Sequence, residues 1–76
     1  MKINDFIKNL AEQFDDTDTL ELTPITKFKE LEEWSSLVAL SIIAMVDDEY
    51  EVSIKGDDIR NSETVEDLFN VVSARV

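Results

Sequence analysis

One glycine and one proline serve all 76 residues, and this shortage of turn-makers narrows the available folds more than any other feature. Sandwiches and small barrels need many tight turns, most of them built on Gly, Pro or Asn-Gly steps. The chain therefore reads as a few helices joined by a few loops. A single domain of this length has a core worth only about 3–5 kcal/mol, and no cysteine is present to staple it. The apolar fraction of 43% is ordinary for a globular chain, so folding rather than wholesale disorder is expected.

Hydrophobic spacing places the helices. Ile3, Phe6, Ile7, Leu10, Ala11 and Phe14 recur at helical intervals, which predicts a helix over residues 3–14 with Asn4 or Asp5 as its cap. Asp15-Asp16-Thr17-Asp18-Thr19 breaks that pattern. About twenty residues follow before the next strong helix, long for a loop in a compact domain. Leu20, Leu22, Ile25, Phe28 and Leu31 punctuate it and are expected to pin it across the core, with a helical turn within residues 26–31. A second helix starts at Ser35 or Ser36 and runs to about Tyr50. At about 100° per residue, Ala39, Ile42, Ile43, Val46 and Tyr50 share one arc, which should face the core. Ser36, Ser41, Asp47 and Asp48 lie roughly opposite, with Leu37, Leu40 and Ala44 left over among them. Exposed apolar residues mixed with acids suit a docking surface, although scattered exposed leucines are also common. Val52 and Ile54 belong to a connection leading through Gly56 into a short turn at residues 57–61. The last helix starts near Thr64, where Asp67 three residues on makes a weak capping box, and Val65, Leu68, Phe69 and Val72 follow at helical spacing. The expected fold is all-α: a four-helix bundle of three main helices plus one short one, with a long first loop.

Eighteen acids against seven bases give a net charge of −11, a balance that repels nucleic acid and anionic membranes. No Lys or Arg lies between Glu30 and Ile54, where Glu30, Glu32, Glu33, Asp47, Asp48, Glu49 and Glu51 fall. A field of one sign steers basic partners toward that surface, and it also serves plain solubility. No apolar run approaches the roughly 20 residues of a membrane span. Met1-Lys2-Ile3-Asn4-Asp5 lacks a signal-peptide pattern, so a cytoplasmic location is expected.

With no histidine and no cysteine, Ser-His-Asp and Cys-His catalysis and the usual zinc sites are excluded. One glycine cannot build a phosphate-cradling loop. A calcium loop sought from Asp16 fails, with Leu20 at its fifth position, Glu21 where glycine is needed and Lys27 at its twelfth. Asp47 and Asp48 read as a solvated face rather than an acid–base pair, and the chain is not expected to be an enzyme.

What remains is a serine at a helix start beside apolar residues and carboxylates, in Trp34-Ser35-Ser36-Leu37. In a short acidic chain with this helix order, that tetrapeptide resembles the acyl carrier protein family, whose motif there is Asp-Ser-Leu. The resemblance covers nearly the whole chain. Asp47-Asp48-Glu49-Tyr50-Glu51-Val52 is similar to the acidic-aromatic end of the family's second helix, and Thr64-Val65-Glu66-Asp67-Leu68 to the start of its last. The resemblance implies a monomeric, stand-alone carrier with a covalent phosphopantetheine arm, derived from coenzyme A, on Ser36. The arm would hold an acyl or aminoacyl thioester. The implied partners are a phosphopantetheinyl transferase and acyl- or aminoacyl-handling enzymes with basic docking surfaces, which would meet Leu37, Leu40, Ala44, Asp47 and Asp48. Such a carrier needs no cysteine, because the thiol belongs to the cofactor. Two departures stand out. Ser35 replaces the family's aspartate, which helps place the transferase's metal ion, and Val38 and Ser41 stand where these carriers often have acids. Trp34 is similar to what specialised stand-alone carriers have there, and the Gly-Gly that often precedes the serine in peptidyl carriers is missing. An unmodified acidic regulatory module that binds a basic protein through the second helix fits the charge as well.

Overall fold

The structure, a computed structural model, describes residues 2–14 and 22–76. Among them are four α-helices, α1 (Ile3–Ala11), α2 (Ser36–Tyr50), α3 (Gly56–Arg60) and α4 (Val65–Arg75), with a 3₁₀ turn at Phe28–Glu30 between α1 and α2. The arrangement is the expected all-α bundle of three main helices and one short one. Helix α1 packs on α2 and α4, and α3 packs on the same two. Asp15 to Thr19, Leu20 and the first half of the rejected calcium loop (16–21) lie outside the described residues.

Phe6 is the hub of the core. It is fully buried, with its ring 6.0 Å from that of Tyr50 on α2 and 5.6 Å from that of Phe69 on α4, the latter edge to face. The Asn9 amide donates to the Tyr50 hydroxyl at 2.9 Å, closing the same α1–α2 seam with a polar bond. Helix α1 ends three residues earlier than its spacing predicts. Gln13 and Phe14 donate to the carbonyls of Leu10 and Ala11, the tighter i→i+3 bonding that closes a helix end. Phe14 stays buried regardless. Neither Asn4 nor Asp5 caps α1. Lys2 is the flanking extended residue, without a side-chain cap, and Asp5 falls inside the first turn, where its charge favours the helix dipole.

The long connection is tethered, though not by every residue expected to pin it. Leu22 and Phe28 are buried, and Leu31 packs partly against them, but Ile25 is 80% exposed. The reason is a β-turn. The Thr26 N–H donates to the Thr23 carbonyl, and the Thr23 N–H to Thr26 Oγ1, with Pro24 at the second position, where its fixed φ suits a turn. This turn aims its carbonyls at α4: Val65 donates to the Thr26 carbonyl at 3.0 Å and Glu66 to that of Pro24 at 2.9 Å. Satisfying two free N–H groups of α4 leaves Ile25 pointing to solvent.

Thr64 and Asp67 complete the start of α4 reciprocally. Thr64 Oγ1 accepts from Asp67 N–H, and the Asp67 carboxylate accepts from Glu63 and Thr64 N–H. Thr64→Ala is expected to remove about 1 kcal/mol, and a thermal melt should shift down by about 4–8 °C. An unchanged midpoint would mean that the two loop carbonyls hold α4 alone.

Helix α3 is held from outside. The Arg75 guanidinium grips Asp58 through both nitrogens, at 2.8 and 2.9 Å, and reaches the Ser53 carbonyl. Buried Ser62 donates to the Asp58 carbonyl, and Lys29 to that of Arg60. Val52 and Ile54, in the extended connection before α3, are both buried. Arg75 beside Asp58, with the Lys55 N–H, holds that carboxyl below its usual range. The Thr64 and Glu63 N–H groups do the same for Asp67. A depressed folded-state pKa stabilises above the unfolded value of about 3.9 and stops doing so as pH falls through the folded one. Thermal stability should therefore drop below about pH 4, and the Asp58→Asn/Asp67→Asn double variant should show a lower midpoint at pH 7 and a shallower acid decline. Equal acid slopes in the two proteins would assign the decline to other carboxylates.

Candidate functional site

Helix α2 is apolar around most of its circumference, yet the bundle covers only part of it. Ile42, Met45 and Val46 are buried, while Val38, Ala39, Ile43 and Tyr50 pack partly against the core. The predicted inward arc is thus present, and Met45 widens it on the side where α2 meets the end of α1. Leu37, Leu40 and Ala44 are exposed, Leu37 by 76% and Leu40 by 63%. With Asp47 and Asp48, also exposed, they follow one another at intervals of three and four, a continuous row within about 100° of the helix surface. The row runs from beside Ser36 to the acidic end, about 16 Å along the axis. Ser41 lies half-buried at its edge.

Ser36 is exposed and is the first residue of α2. Ser35 before it is extended, and its Oγ accepts the Val38 N–H at 3.2 Å. The two adjacent serines thus have different places: Ser35 is the cap, and Ser36 presents its hydroxyl from the first turn. Among the described residues, no hydrogen bond reaches the Ser36 or Leu37 N–H. Helix α4 is the contrast, because its Val65, Glu66 and Asp67 N–H groups are all bonded within the protein. Among the described residues, the positive end of the α2 dipole is therefore open to an anion beside Ser36, while that of α4 is filled.

At the other end, Glu51 takes the left-handed conformation (φ 54°) and donates its N–H to the Asp47 carbonyl, which stops the helix. An open groove there brings Glu12 and Gln13, at the close of α1, beside Ala44, Asp47 and Asp48 of α2. Sequence spacing could not reveal this, because Glu12 and Asp48 are brought together only by the α1–α2 packing. All five residues of the expected docking surface thus lie on one face, with an acidic neighbour supplied by α1. No helix of the described residues is long and apolar enough to cross a membrane. No protein-family model, no curated protein and no solved structure matches this chain.

Proposed function

We propose that this chain is an acyl carrier, with a phosphopantetheine arm attached through a phosphodiester to Ser36 Oγ and a row of α2 residues that docks the enzymes the arm serves. The observation that carries the reading is the exposed Ser36 at an N-terminus whose first two N–H groups are unbonded among the described residues. A phosphodiester there would gain both those donors and the helix dipole. The arm supplies the thiol that holds cargo as a thioester. In attachment, Ser36 Oγ bonds to the phosphorus that carries pantetheine, the pyrophosphate bond of coenzyme A breaks, adenosine 3′,5′-bisphosphate leaves with the electron pair of that bond, and the hydroxyl proton passes to a base on the transferase. Intact mass after incubation with coenzyme A and a broad-specificity transferase tests the reading. A gain of one arm is expected, and its absence would leave the unmodified acidic module as the reading to pursue.

The same reading predicts how partners bind. Leu37 and Leu40 offer apolar contact next to Ser36, and Asp47 and Asp48 offer charge at the far end. Leu37→Ala should weaken productive docking, and Asp48→Lys should slow association about tenfold at low salt. Added salt should slow the wild type toward the same rate, since screening shortens the reach of the acidic field. Surface plasmon resonance that is blind to salt and to both substitutions would move the docking site off α2. Circular dichroism should find both variants folded, because both side chains are exposed.

A further inference from the structure

Trp34 is the residue just before the Ser35 cap, and it is held from three directions. Its backbone N–H donates to the Leu31 carbonyl at 3.0 Å. Its ring lies 5.5 Å from that of Phe28, edge to face, and 6.3 Å from that of Phe14. Phe14 belongs to the close of α1 and Phe28 to the 3₁₀ turn, and both are buried. A hydrophobic residue ahead of a cap sets the angle at which the chain enters its helix. Here that angle is referred to two other segments of the fold. The first turn of α2 otherwise has one side-chain bond, from Val38 N–H to Ser35 Oγ, and its outer face is solvated. Val38 and Ala39 of that turn pack partly against the core on the C-terminal side of Ser36, and the aromatic clasp anchors the chain to the core on its N-terminal side.

We infer that Trp34 is a positioning residue for arm transfer: by locking onto Phe14 and Phe28 it holds the first turn of α2 so that Ser36 Oγ is presented in one direction. The inference rests on the reading of Ser36 as the attachment residue. Trp34 itself is partly buried and acts only through the turn that follows it. Misplacing a reacting atom by about 1 Å can cost up to about a hundredfold in rate. Loosening the turn should therefore lower kcat for transfer while KM, set by docking along α2, stays near its wild-type value.

Two measurements on the full chain decide the matter. Trp34→Leu keeps apolar bulk but lacks the indole's reach, and Trp34→Phe keeps a ring. In Trp34→Leu, hydrogen exchange at the Val38 amide should quicken about tenfold while that of Leu68 in α4 is unchanged, the pattern of a local opening. Transfer kcat should fall at least about tenfold by loss of orientation, and Trp34→Phe should restore both readouts. Unchanged kcat in a folded Trp34→Leu protein overturns the inference. So does uniform quickening across α2 and α4, which would make Trp34 a general core residue. A wild type that accepts no arm overturns the attachment reading and the transfer half of the inference with it. The Val38 result then still decides whether Trp34 holds the turn.

Discussion

Ser36→Ala should abolish the mass gain on incubation with coenzyme A and a phosphopantetheinyl transferase, and Ser35→Ala should retain it. The structure separates the two serines by what their side chains do. Ser35 Oγ is committed to the Val38 N–H, whereas the Ser36 hydroxyl stands exposed one residue into the helix. Removing the cap costs about 1 kcal/mol, so Ser35→Ala should melt earlier and modify more slowly while still reaching one arm per chain. Removing the nucleophile leaves no phosphodiester to form. Retention of the arm by Ser36→Ala would place attachment elsewhere, and peptide mapping would locate it.

Phe6→Ala should unfold the protein at room temperature. The substitution empties the centre where α1, α2 and α4 meet, deleting both ring contacts at Tyr50 and Phe69. Buried Phe→Ala changes cost about 3–5 kcal/mol, and a domain this small has a core worth about the same. With no disulfide to limit the unfolded state, nothing offsets the loss. Loss of the cooperative melt and collapse of the helical circular dichroism signal are the expected results. A variant that still melts cooperatively within about 5 °C of wild type would show a core able to close over the cavity.

The parts of the chain that sequence reading located well are those governed by neighbours a few residues away. The capping box of Thr64 and Asp67 joins residues three apart, and it appears in the structure as drawn from the sequence. The span of α2 follows from a serine cap and an apolar period, both local, and so does the exposure of Leu37, Leu40 and Ala44 opposite the buried arc. At Ile25 the reading failed because a distant group had intervened. Apolar character alone would have buried Ile25, but the backbone of its turn is committed to α4. Asn4 and Asp5 are good cap residues, yet α1 begins at Ile3.

An all-helical, strongly acidic domain, the start and end of its longest helix, and the side of that helix the core does not cover can all be read from the order of residues alone. These follow from glycine and proline scarcity, charge and 3.6-residue periodicity, all of which act over a turn or two of chain. Helix packing is what sets Trp34 against Phe14 and Phe28, Arg75 against Asp58, and Glu12 beside the acidic end of α2. Each of those contacts joins segments that meet only when the helices pack, because burying their apolar faces sets a geometry that no local preference encodes.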